Sequence, residues 1–149
     1  MARDRGARAR QLARELLVKA LYQWQIAGHG VDEITKQFAE LEDFARCDGD
    51  YFDQLLRLVV DNVAALDVLI SRHAVLAIEQ LDAVGRAILL LGLAELKFRQ
   101  DVPTKVVINE GVELAKRYGA TASFKFVNAI LDKTARELKS SAVAPGAPG

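Results

Sequence analysis

The stretch LDAVGRAILLLGLAELKFRQDVP, residues 81 to 103, constrains the fold more than any other part of the chain. Between Ile88 and Leu96 it is hydrophobic nearly all round, and a helix of that kind must be covered on several sides. It is too short to cross a bilayer, which takes ~20 apolar residues, so it is expected at the centre of a soluble domain. The flanking sequence supplies amphipathic helices to cover it. Leu12, Leu16, Leu17, Ala20, Leu21 and Trp24 recur at steps of three and four up to Gly28 and Gly30. Val31, Ile34, Phe38 and Leu41 mark a short second helix with Asp32 near its start, and the face from Phe52 through Val59 and Val63 to Ile70 marks one longer helix. Pro103 stops the apolar element and suits the first turn of the next, which carries Val106, Val107, Leu114 and Ala115. Gly119 is expected as a left-handed C-terminal cap, and Thr121 or Ser123 as the cap of a last helix with Val127, Ile130, Leu131, Thr134 and Leu138 inward. Nothing alternates at period two. The fold class is therefore all-α, with a basic flexible arm over residues 1–8, a helical domain over 9–139 and a disordered tail over 140–149.

Lys+Arg and Asp+Glu each number 20, so only local charge can point to a partner. It is unevenly spread: Arg3, Arg5, Arg8, Arg10 and Arg14 crowd the N-terminus, and eight acids fall between residues 31 and 53. A basic arm on a neutral domain fits a polyanion partner or a merely solvated tail. One cysteine, Cys47, excludes an internal disulfide, and two histidines with one cysteine give no metal-ligand spacing. His29 lies in a turn and His73 near a helix end, neither with a nucleophile at a suggestive spacing, and there is no phosphate-binding glycine loop. No enzyme activity, cofactor or metal is expected. With no signal sequence or membrane span in the pattern, a cytoplasmic location is expected.

The chemistry concentrates in INEGVELAKRYGATASFKFVNAILD, residues 108 to 132. Lys116, Arg117 and Tyr118 precede the Gly119 break, and Phe124, Lys125 and Phe126 follow it. Phe126 falls at the margin of the apolar face, with Lys133 nearly in line with it along the axis. Accessible rings beside cations suit single-stranded nucleic acid, whose bases stack on the rings while cations neutralise phosphates. The competing reading makes Phe126 core and the Lys-Arg pair a solvated face. On the first helix Arg10 and Arg14 share one side, with Gln25 further along, as a phosphate-tracking face. Tyr22 lies on a more polar flank, where contact to another chain is a natural role.

RARQLARELLVKALYQWQ near the start, and DVPTKVVINEGVELAKRYGATASFKFVNAILDK near the end, resemble the NusB family of bacterial transcription antitermination factors. The combination of Ala20-Leu21-Tyr22 with Trp24-Gln25, Val102-Pro103, Ile108-Asn109-Glu110 and Lys125-Phe126-Val127-Asn128 carries the resemblance, which spans roughly residues 8 to 139. It implies two small packed helical bundles of about six to seven helices. It also implies binding of boxA RNA in nascent ribosomal transcripts together with NusE, a small-subunit ribosomal protein. That pair would load with other Nus factors onto RNA polymerase and make it resist termination. Carried over by motif, Arg10, Arg14, Tyr118, Lys125 and Phe126 match RNA-contacting positions, while Tyr22 and Arg86 match the NusE-facing surface. Gly85 and Ala122 stand where relatives often carry acids. Domains of this kind also occur fused to RNA methyltransferases, for which 149 residues leave no room, so a stand-alone adaptor is expected. The rival is a self-associating structural protein with VGRAILLLGLAEL as its interface.

Overall fold

The computed structural model describes residues 2–73 and 81–143. Among them are seven α-helices and no strand: α1 (Ala2–Ala27), α2 (Val31–Ala39), α3 (Gly49–Asp61), α4 (Val63–His73), α5 (Ala83–Phe98), α6 (Thr104–Tyr118) and α7 (Ser123–Val143), with a 3-10 helix at Glu42–Arg46. They form two small bundles, α1 to α3 and α4 to α7. The central member is α5, which packs on α1 and α3 on one side and on α4, α6 and α7 on the other. Every residue of α5 from 87 to 95 is buried. VGRAILLLGLAEL is therefore consumed in the interior and offers no exposed apolar stripe for self-association. No helix of the described residues is long and apolar enough to cross a membrane.

In the first bundle the rings of Phe38 and Phe44 both stand 5.4 Å from that of Phe52, one stacked and one edge-on. In the second, Leu131 of α7 is fully buried between two glycines. A Cβ at Gly92 of α5 would lie 2.9 Å from Leu131 Cδ2, and one at Gly111 of α6 2.8 Å from its Cδ1. The backbones of α5 and α6 thus close on one leucine of α7, which fixes the α6–α7 pair carrying the turn of interest.

Several expectations change. The face from Phe52 to Ile70 is two helices, because Asn62 leaves helical geometry (φ −119°, ψ 19°) and its side-chain amide donates to Leu58 O instead of extending the pattern. Residues 2–8 continue α1 rather than forming a separate arm. Of the expected tail, 140–143 continue α7, and 144–149 lie outside the described residues. Gly119 is extended (φ −84°, ψ 173°), and the left-handed residue of the turn is Ala122 at φ 67°. Glycine is needed at 119 for space: a Cβ there would stand 2.7 Å from Ala115 O and collide with Ser123 Oγ. That buried hydroxyl has no hydrogen-bond partner among the described residues, so it does not supply the expected cap. Pro103 is the N-cap of α6, one place outside its expected first turn, and α5 has already ended at Phe98 before it.

Candidate nucleic-acid interface

Glu95 is the one acid in the all-apolar part of α5, and at 1% exposure it needs a partner. Arg14 of α1, itself 3% exposed, supplies it through Nε at 3.0 Å and Nη2 at 2.8 Å from Oε2. Burial opposes the Arg14 charge, but the Glu95 hydrogen bonds and field outweigh it and raise its pKa. The buried Tyr51 hydroxyl of α3 donates to the same carboxylate, and burial together with the adjacent Glu95 charge pushes that phenol up, so it stays protonated. Arg14 therefore joins α1 to α5, and although it borders the cleft beside Arg10 its charge is already paired with Glu95, so the structure gives it a fold role instead of the free cation expected of an RNA contact. A lone acid in an apolar helix was a legible signal, but nothing along the chain said which cation would meet it.

Arg10 remains available. Its guanidinium lies 4.1 Å from the Tyr51 ring centroid, its side chain is about one-third exposed, and Asp48 is 3.8 Å away. It opens on a cleft of about 370 Å³ shared with Gly6, Ala7, Asp101, Pro103 and Glu110. Arg99 covers Tyr51 at 4.8 Å and grips Asp101 with two hydrogen bonds of 2.8 and 2.9 Å. Those bonds, with the Arg99 charge, hold the Asp101 carboxyl down to about 2. Because the folded value lies below the ordinary ~3.9, the contact stabilises the fold above that pH and is lost as pH falls from there through 2. A carboxyl NMR titration is expected to find the depressed midpoint, and Arg99→Ala to return it to the ordinary range.

From Arg10 the α1–α6 seam runs past a Gln11–Glu110 hydrogen bond of 2.9 Å to Glu15. The Glu15 carboxylate accepts from the Tyr118 hydroxyl at 2.9 Å and pairs with Arg117. Burial and the bond to Glu15 push the Tyr118 phenol up, so it too stays protonated. Sequence reasoning missed Glu15, and with it the fact that an acid occupies this end of the cationic surface. Lys19 stands 5.8 Å over the Tyr118 ring.

On the far side of α6, Lys116 is exposed, pairs with Glu113 at 3.7 Å and stands 5.2 Å over the Phe124 ring. Lys125 is exposed, and Phe126 is half-buried, with one side packed on the core. Lys133 is exposed seven residues along α7 from Phe126, ~10 Å of helix rise. The structure thus brings Lys116 and Lys125 together with Phe124 in one cleft between α6 and α7, whereas Tyr118 faces α1 through Glu15 and Lys19 and Arg10 lies beside Asp101 and Pro103, at the other end of α6.

Gln25 goes elsewhere. Its amide donates to Ala83 O at 2.8 Å and its oxygen accepts from Arg86 at 3.0 Å, which removes it from the expected phosphate-tracking face. Arg86 also grips Asp67 at 2.7 and 3.1 Å. Tyr22 is 43% exposed and Ile26, one turn further along α1, 63%. Neither side chain is needed to close the core, and Ile26 is an exposed apolar residue that the periodicity did not single out. Gly85, in the first turn of α5, leaves its N–H to the capping Asp82 at 2.6 Å, and a Cβ there would crowd that carboxylate at 2.8 Å.

Among the described residues no group of three or more His, Cys, Asp and Glu is placed to hold a metal ion. Fold and surface together define an all-helical binding module, whose chemistry lies in exposed cations and part-exposed rings. Residues 11–136 match the model of the NusB family. Transcription antitermination protein NusB of Alcanivorax borkumensis is 51% identical over 131 residues, 88% of this chain and 87% of that one. The homologue from Pseudomonas savastanoi pv. phaseolicola is 48% identical over 138 residues, 93% of this chain and 83% of that one. Among solved structures, T. maritima NusB superposes with a TM-score of 0.76 at 33% identity, covering 85% of this chain and 90% of that one. A structure of the antitermination factors NusB and NusE in complex with dsRNA gives 0.75 at 30% identity, covering 87% and 98%. The chain belongs to the NusB family.

Proposed function

We propose that this chain is a non-enzymatic antitermination adaptor. It binds boxA-type single-stranded RNA in nascent ribosomal transcripts together with NusE, and delivers that RNA to RNA polymerase with the other Nus factors. The observation that carries this reading is the α6–α7 turn, where exposed Lys116 and Lys125 line one cleft with the Phe124 ring, and the part-exposed rings of Tyr118 and Phe126 flank the same turn in sequence. Flexible single strands offer phosphates and unstacked bases at close spacing, and this mixture of cations and rings can engage both. A structural neighbour solved with NusE and dsRNA supports RNA as the ligand class and NusE as the partner. Tyr22, with Ile26 beside it and Arg86 nearby, supplies the NusE-facing surface. An exposed aromatic next to a guanidinium already oriented by Asp67 suits a protein partner better than a phosphate chain.

The RNA site is open and carries Glu15 within it, so affinity of the chain alone is modest and NusE extends the site. The test is co-purification with NusE, then a gel shift with boxA RNA and a scrambled control over a salt series. With ~4 phosphates neutralised, log K is expected to fall against log salt with a slope of about −3. A slope near zero, or equal binding of the scrambled strand, contradicts the reading.

A further inference from the structure

Between α6 and α7 lies a cleft of about 330 Å³ lined by Asn109, Val112, Lys116, Phe124, Lys125 and Asn128. The steps of three and four put Asn109, Val112 and Lys116 on one stripe of α6, and the step of four puts Phe124 and Asn128 on one stripe of α7. Two facing helix stripes therefore build it. No carboxylate lines this cleft, whereas those along the α1–α6 seam include Asp48, Asp101 and Glu110, or Glu15, Glu110 and Glu113. The carboxylate of Glu113 near the rim is paired with Lys116 at 3.7 Å, so an anionic strand meets less repulsion here than along that seam.

The lining divides into three chemical parts. Val112 and the Phe124 ring are apolar. Asn109 and Asn128 are exposed, and each carboxamide offers a donor and an acceptor side by side. Lys116 and Lys125 are exposed ammonium groups at the rim. An aromatic platform, two carboxamides and two cations correspond to what one nucleotide presents: a π face, a hydrogen-bonding edge and a phosphate on either side.

We propose that this cleft is a single-nucleobase subsite, in which one unpaired base stacks on Phe124, Asn109 and Asn128 read its edge, and Lys116 and Lys125 hold the flanking phosphates. The inference rests on the RNA reading above and adds to it the residues that select a base. Lys116 now stands over the Phe124 ring, so an entering base displaces the ammonium toward the phosphate beside it. Phe126 is not part of the lining and takes the lesser role.

The test uses the full chain with NusE and a short boxA RNA, together with a panel of the same RNA in which each nucleotide in turn is abasic. The unaltered chain is expected to lose roughly tenfold or more in affinity at one position, the value of one stack and one edge contact. Asn109→Ala and Asn128→Ala should shrink the penalty at that position and leave the others intact, which a merely structural role would not do. Lys116→Ala with Lys125→Ala should weaken every RNA alike and flatten the salt slope. Phe124→Ala should weaken the intact RNA more than Phe126→Ala, with thermal melts of each variant separating lost fold from lost contact. If the asparagine variants weaken all RNAs uniformly, or keep the full penalty at every position, the cleft reads no base and the inference falls while the RNA reading stands. If the unaltered chain with NusE binds none of the panel, both fall.

Discussion

Arg14→Ala is expected to lower the unfolding free energy by about 3–5 kcal/mol through the buried contact it makes between α1 and α5. The loss comes from leaving Glu95 charged, buried and deprived of its cation, rather than from losing an attraction. Glu95→Ala strands Arg14 in the same way and should cost a similar amount. Removing both charges together, as Arg14→Met with Glu95→Leu, should recover much of the loss, because apolar groups of similar volume need no partner in that position. Urea denaturation measures all three, with the midpoint moving at constant slope if only the folded state is affected. If Arg14→Ala left the midpoint in place and selectively abolished RNA binding, the residue would belong to the interface after all. Arg10→Ala is the internal comparison: its side chain is one-third exposed, and its pairing with Asp48 contributes little to stability.

Leu131→Ala is expected to cost about 2–5 kcal/mol, the range for emptying a buried leucine site, with the upper part reached where neighbours cannot collapse into the void. Collapse is hindered here because the space is bounded by the backbones of α5 and α6 at Gly92 and Gly111, which have no side chains to move in. Because α6 and α7 meet at this residue, the same change should loosen the Lys116–Phe124 cleft. Hydrogen exchange would show it as protection lost first in α6 and α7. Protection lost evenly over α1 to α3 as well would mean that the two bundles unfold as one unit and that the leucine has no special hold on the turn.

Much of the fold was legible along the chain because burial imposes periodicity. The run from Ile88 to Leu96 had to be central, the glycines near 28 and 30 had to end α1, and Pro103 had to precede α6. The break at Asn62 was not legible, since apolar spacing continues across it and only the local competition of its amide for Leu58 O interrupts the helix. Gly119 was noticed for the wrong reason. Its glycine character answers to the closeness of Ala115 O and Ser123 Oγ, while the left-handed turn falls on an alanine that no propensity rule would choose.

The candidate site divides along the same line. Cations and rings flanking one turn are neighbours in sequence, so Lys116, Tyr118, Lys125 and Phe126 could be grouped before any coordinates. Arg10 and Arg14 look alike on a helical wheel, four residues apart on one side of α1. Their fates differ because α5 brings a carboxylate to one and α3 presents a ring to the other, contacts that span 81 and 41 positions. Gln25 was taken from the surface by Arg86, and Glu15 was set against Tyr118 and Arg117, by the same kind of long-range meeting. The order of apolar and polar residues determined which helices form and which faces turn inward, because that depends on spacing along a single helix. Which charges remain free for a partner was decided by the tertiary structure alone, because an ion pair exists only where folding brings its two halves within reach.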